Sequence, residues 1–324
     1  MSKVTRRAIV AGAPAVFLAA PLSRAQAWPE RPITLLHGFA PGGGADITAR
    51  LLANPLAERL GHPVVVESRP GAGSTIASAQ VAHAAPDGGT LLMAGSAFSA
   101  SAAMYKDLSY RPIEDFTAID KICRFPFLIV TYAEHSMRSI ADLVREARAR
   151  SKPMLYGTNG QGSAQHLAIE LFARMANIRL QHVPFRGGAQ ALNEVLGKRI
   201  DFMLDPPAIL IEHVKNGSLR ALATTSGDRF ADLPDVPSVA ESGFPDFDVS
   251  SWFGVLGPAD LPIAILQRLD RESKAIVEQP EVQQRFRALG MMAAVSGPEA
   301  FKAQLAAEIA KWRSVVAETR IEQI

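Results

Sequence analysis

Three glycine-rich segments bring together the groups that hold a small anion. They read Phe39-Ala40-Pro41-Gly42-Gly43-Gly44-Ala45-Asp46, Gly71-Ala72-Gly73-Ser74-Thr75 and Tyr156-Gly157-Thr158-Asn159-Gly160-Gln161-Gly162-Ser163. Each lies between an apolar, β-like run and a helix-like segment. Glycine lets a backbone approach a ligand closely, and the first amides of a helix lack intrahelical partners and carry partial positive charge. The chemistry is capture rather than bond making.

The elements that must position these loops follow from hydrophobic periodicity. Strands are expected at Ile33–Leu36, Val64–Val66 and Thr90–Ala94, with helices over about Ala45–Leu60 and Ile76–Ala84. This alternation predicts a parallel, helix-covered sheet. A second run has strands at Phe127–Thr131, Met154–Gly157, Leu180–Pro184, Phe202–Leu204 and Ala221–Thr225, and Ser139 opens a helix through a capping box. Prolines 234, 237 and 245 mark a connecting segment, Phe253–Leu256 returns to strand, and the tail is helical over Pro262–Glu278, Pro280–Leu289 and from Pro298. Two α/β cores with such loops at their strand ends would face each other across a cleft.

Before these elements, Lys3, Arg6 and Arg7 precede a charge-free stretch from Ala8 to Ser23, and Ala25-Gln26-Ala27 forms a small-x-small cleavage site. Residues 1–27 therefore read as an export signal. A membrane anchor needs about 20 apolar residues, and Gly12, Pro14 and Pro21 break this shorter stretch. Arg6-Arg7 leaves both the general and the twin-arginine export routes open. No cysteine near the cleavage site offers a point for lipid attachment, so a soluble periplasmic protein is expected.

Of 34 basic residues, cleavage removes Lys3, Arg6, Arg7 and Arg24, leaving 30 against 32 acidic ones. No basic stripe with interleaved aromatics points to nucleic acid. The lone Cys123 excludes a disulfide framework and reads as a small core residue. With 48% hydrophobic residues the chain has material for two cores.

Enzyme motifs are missing. Gly42-x-Gly44 with Glu67 imitates a dinucleotide fingerprint, but Ile47 stands where glycine or alanine is required. There is no Gly-x-Ser-x-Gly elbow, no phosphate loop ending in Gly-Lys-Ser/Thr, and no histidine pair at metal-ligand spacing. Neither catalysis, cofactor nor metal is expected.

Seven motifs in order carry a family resemblance. They are Phe39-x-Pro41-Gly42-Gly43-x-x-Asp46-x-x-Ala49-Arg50, Arg69-Pro70-Gly71-Ala72-Gly73, Pro86-Asp87-Gly88-x-Thr90-Leu91-Leu92, Tyr156-Gly157-Thr158-x-Gly160-x-Gly162-Ser163-x-x-His166-Leu167, Val183-Pro184-Phe185-Arg186-Gly187-Gly188, Leu233-Pro234-Asp235-Val236-Pro237 and Glu241-Ser242-Gly243-Phe244-Pro245. The chain resembles the Bug proteins, extracytoplasmic solute receptors of tripartite tricarboxylate transporters, from about Trp28 to its end. The resemblance implies an α/β, type II periplasmic-binding-protein fold of two domains with a hinge and an interdomain ligand cleft. The domains expected are 28–124 with 250–324, and 125–249, crossed near Cys123–Phe127 and Asp248–Phe253. It further implies a small organic anion, a carboxylate, as ligand, membrane permease subunits as partners, and a monomer. A sensor that signals to a second protein would use the same fold.

Carried over by position, Pro41, Gly42, Gly43, Gly44, Ser74 and Thr75 would serve from the first domain, and Thr158, Gly162, Ser163 and Asp205 from the second. The sequence departs from the family pattern at Ser68, commonly Asn, and at Ser74-Thr75-Ile76-Ala77, commonly Gly-Asn-Ile-Gly. Beside these, Arg186 is either a partner for a second carboxylate or a solvated loop arginine, and His166 either touches ligand or packs and caps. Asp46 is either a dipole-stabilising helix residue, the reading favoured here, or a ligand contact. Asp205, before Pro206-Pro207, is either an acceptor aimed into the cleft or a turn residue.

Overall fold

The computed structural model describes residues 28–319 and 321–324, so the expected signal peptide, 1–27, lies outside the described residues. The first unit begins with β1 (Ile33–His37), α1 (Gly44–Leu60), β2 (Val64–Ser68), α2 (Thr75–Ala82), β3 (Thr90–Gly95), α3 (Ser96–Met104) and the long β4 (Phe116–Pro126). The second comprises β5 (Leu128–Tyr132), α4 (Ile140–Ala149), β6 (Met154–Thr158), α5 (Ala164–Ala176), β7 (Leu180–Pro184), α6 (Gly188–Leu196), β8 (Phe202–Asp205), α7 (Pro207–Lys215) and β9 (Leu219–Thr224). The chain then returns through β10 (Ser250–Pro258), α8 (Ile263–Val277), α9 (Pro280–Ala288), β11 (Met292–Ala293) and α10 (Pro298–Thr319).

The strands form a six-stranded sheet, ordered β11-β4-β10-β3-β1-β2, and a five-stranded sheet, ordered β7-β6-β8-β5-β9. The expectation of parallel sheets is corrected. β1 pairs in parallel with β2 and β3, and β6 with β7 and β8, but β10 is antiparallel to β3 and β4, and β5 to β8 and β9. The antiparallel members are the strands next to the passages between sheets. There the reversed strands are β10 and β5, on which the chain enters each sheet from the other; β4 and β9, on which it leaves, run in the same direction as β3 and β8.

The first passage takes a single residue, Phe127, between β4 and β5; the return spans the residues between Thr224 and Ser250. Thr225 clasps the two passages. Its Oγ1 accepts from the Phe127 amide at 2.9 Å and donates to the Val249 carbonyl at 2.7 Å, while its amide donates to Phe127 and its carbonyl accepts from Val249.

Apolar residues on both faces make the central strands continuous hydrophobic runs. One core joins Leu35, Leu52, Met93 and Trp312 with Tyr156, Phe172 and Phe202, and smaller clusters surround Trp252 with Phe301, and Leu128 with Val195. Cys123 is fully buried in the first of these, and burial pushes its thiol up to about 12, which keeps it an inert core group. Among the described residues no helix is long and apolar enough to cross a membrane.

Candidate functional site

The expected site residues lie where strands end and helices begin. Pro41–Gly44 follow β1, Ser74 and Thr75 open α2, Thr158–Ser163 join β6 to α5, Arg186 lies between β7 and α6, and Asp205 ends β8. The loops are chained by contact. Ser74 sits so close to Gly38 that a Cβ there would fall 2.1 Å from its Oγ. Ser101 of α3 donates to the Gly73 carbonyl at 2.8 Å, and Met104 of the same helix lies against Gly162. The Phe185 amide donates to Thr158, and Asn159 reaches Asp205 at 3.1 Å. Loops of both sheets thus meet around α3.

Helix starts α1, α2 and α6 have no side-chain cap, and their first turns offer amides without intrahelical partners. Pro41, Gly42 and Gly43 are exposed at the first of these. Asp46 is more than a dipole residue. Its carboxylate accepts from the Gly42 amide at 2.9 Å, from Arg50 at 3.1 Å, and meets His37 Nε2 at 3.1 Å. Burial pushes this carboxyl up, but the bonds from Arg50, Gly42 and His37 outweigh it and hold it below the usual range. In the second loop Ala72 (φ 45°) and Ser74 (φ 77°) take left-handed conformations that side chains disfavour, and the buried Ser74 hydroxyl has no partner among the described residues.

Ser163 and His166 bond back onto the third loop. Ser163 Oγ accepts from the His166 amide at 3.2 Å and donates to the Gly160 carbonyl at 2.8 Å, so it is the N-cap of α5. His166 Nδ1 accepts from the Gly162 amide at 3.1 Å. Its ring stacks on His182 at 4.0 Å between centroids, and both rings stack on Tyr156. Burial, and then repulsion from His182, push His166 down to about 3; burial alone pushes His182 to about 4. Both imidazoles are therefore neutral at ordinary pH. Thr158 is buried, with its hydroxyl 2.6 Å from His182 Nε2.

Asp205 is fully buried and receives Asn159 and Gln165, at 3.1 and 3.2 Å, on one oxygen, while its other oxygen has no partner among the described residues. Burial pushes this carboxyl up to about 7 against those two bonds. Arg186 is exposed; among the described residues its amide, not its guanidinium, is engaged, donating to Gln190 at 3.1 Å. Sequence reasoning missed His182, Asn159, Gln165, Met104 and Thr225. Asn159 and Gln165 lie within or beside the loop motifs, but His182, Met104 and Thr225 acquire roles only through distant contacts.

A two-sheet α/β molecule with glycine-rich helix starts from both sheets meeting across it is a periplasmic solute-binding protein of the two-lobed kind. Residues 48–321 match the family model described as the tripartite tricarboxylate transporter family receptor, and the chain belongs to that family. It is 33% identical to the protein BugT of Bordetella pertussis over 304 residues, 93% of each chain. The solved periplasmic binding protein BugD is 31% identical, with a TM-score of 0.80 over 92% of this chain and all of that one. R. palustris Rpa4515, solved with adipate, is 31% identical, with a TM-score of 0.82 and the same coverage. The protein is thus a Bug-type solute-binding receptor with the fold that its motifs imply.

Proposed function

We propose that this receptor is exported, processed after about Ala27, and closes two lobes, 28–124 with 250–324 and 125–249, around a small carboxylate that it delivers to membrane permease subunits as a monomer. It needs no catalytic step, metal or cofactor for this. The observation that carries the reading is the set of uncapped helix starts, α1 and α2 from one sheet and α6 from the other. Amides at such ends form charge-assisted bonds with a carboxylate, roughly twice as strong as neutral ones. The amides at Pro41–Gly44 and at Ser74-Thr75 would take one carboxylate. Thr158, Gly162, Ser163 and His166 would form the opposite wall, with Arg186 at the rim and Asp205 as an acceptor for a ligand hydroxyl or amine.

Adipate in Rpa4515 makes dicarboxylates the first compounds to test. Melting of residues 28–324 is followed against mono-, di- and tricarboxylates, amino acids and nicotinamide cofactors. A carboxylate at a hundredfold excess over its Kd adds about 2.7 kcal/mol of stability, and Tm rises by several degrees for one carboxylate class. A rise with nicotinamide cofactors alone overturns the reading.

A further inference from the structure

The strands at the passage between sheets carry a second polar cavity, on the side that faces α10. A pocket of about 340 Å3 lies between the passage ends of β4 and β10 and the face of α10, and Lys121, Arg124, Ser250, Glu308 and Lys311 line it. This falls at the small end of the roughly 300–1,000 Å3 typical of small-molecule sites. Arg124 pairs across the ladder with Trp252, and Pro126 with Ser250, so the pocket spans the strands on which the chain leaves and re-enters the first sheet.

Its three cations have no carboxylate partner among the described residues. Lys121 Nζ donates to the neutral Gln304 side chain at 2.8 Å, and Lys311 Nζ to the Asp248 carbonyl at 3.1 Å while lying 4.8 Å from the Trp312 ring centroid. The two carboxylates facing the pocket are engaged by other donors. Glu308 accepts from the Trp252 and Trp312 indoles at 2.7 and 3.4 Å and from Ser99 at 3.3 Å; Asp248 accepts from the Gly227 amide at 3.0 Å. Burial raises the Glu308 carboxyl against the Trp252 bond and the Lys311 charge, which lower it. Burial, and then the neighbouring Arg124, lower the Lys121 ammonium, and burial lowers that of Lys311.

We propose that this pocket is a second anion site, separate from the loop cluster, that takes a small divalent oxyanion such as sulfate or hydrogen phosphate. The Arg124 guanidinium presents a planar fork that matches two oxygens of such an ion, and the two lysines supply point charges from β4 and α10. An ion held there ties the leaving strand, the returning strand and the C-terminal helix together at the hinge.

Sulfate is titrated calorimetrically into residues 28–324 at low ionic strength, with sodium chloride at matched ionic strength as the blank. Saturable binding of one sulfate is expected, displaced by phosphate and at least tenfold weaker in Arg124→Gln and in Lys311→Gln. Lys311→Gln keeps a side-chain stem over Trp312 and gives the same readout should Arg124→Gln fail to fold. Absence of saturable binding overturns the proposal, and so does sulfate affinity unchanged in the folded variants, which would place the ion in the loop cluster instead.

Discussion

At the scale of single residues, the first loop is held by a carboxylate that never needs to touch a ligand. Asp46 joins the Gly42 amide, His37 and Arg50. Asp46→Ala should lower stability by about 1.5–3 kcal/mol, the range for hydrogen bonds to a charged group, and weaken carboxylate binding by releasing the loop. Urea unfolding and calorimetry measure the two effects; a loss of affinity at full stability would instead make Asp46 a direct ligand contact. His166 makes a pH-dependent contribution. Its folded pKa of about 3 lies below the 6.5 of the ordinary side chain, so the unfolded chain takes up the proton first on acidification. The stability this neutral ring provides is fully present above pH 6.5 and is lost toward pH 3, at about 1.4 kcal/mol per pH unit. Against His166→Asn, whose amide oxygen can still accept from Gly162, the wild type should lose about 2 kcal/mol of relative stability between pH 7.5 and 5. A pH-independent difference would mean that the ring is solvated.

At the scale of elements, Phe185-Arg186-Gly187-Gly188 holds two glycines of identical appearance in sequence and opposite constraint in structure. A Cβ on Gly188 would fall 1.7 Å from Asp205 Oδ2, whereas one on Gly187, at an extended φ of 173°, meets nothing within 4 Å. Gly188→Ala should cost about 1–3 kcal/mol as overpacking, and Gly187→Ala little. Urea midpoints compare the two, and equal costs would mean that Asp205 can move aside. The same limit governs what the sequence made legible. Strands such as Thr90–Gly95 and helices such as Pro280–Ala288 were readable because apolar runs and a proline at a helix start are local. α3 was not, since Ser96–Met104 is a serine- and alanine-rich stretch almost wholly buried, with no amphipathic stripe to betray it. β4 was hidden by Asp120, Lys121 and Arg124 within it, charges that find donors, an acceptor or a pocket only in three dimensions. Strand direction leaves no trace in composition. The loop motifs placed the candidate residues at strand ends, but the capping duty of Ser163 and the pairing of His166 with His182 depend on geometry no motif records.

At the scale of the whole molecule, the C-terminal residues join the two halves of the loop cluster. The Ile324 amide donates to the Met104 carbonyl at 2.8 Å, its own carbonyl accepts from Lys106 at 3.0 Å, and Gln323 donates to Ala103 at 2.9 Å. These bonds fasten the end of α3, the helix whose Met104 bears on Gly162 and whose Ser101 holds the second loop. On the other side Gln161 of the third loop reaches the Glu322 carbonyl at 3.5 Å, and Arg174 of α5 pairs with Glu318 of α10. Removal of residues 322–324 therefore takes away a strap, not only a frayed end. Each hydrogen bond contributes on the order of 1 kcal/mol, so loss of the three bonds of Gln323 and Ile324 should lower stability by about 3 kcal/mol. Because α3 links loops from both sheets, the same change should weaken carboxylate binding several-fold, read by calorimetry with the compound that raises Tm most. Under the proposed closure, ligand acts only by favouring the state in which both sets of loops are in place. A truncated chain that loses stability yet binds with unchanged affinity would confine the strap to folding and leave closure to the Thr225 clasp alone.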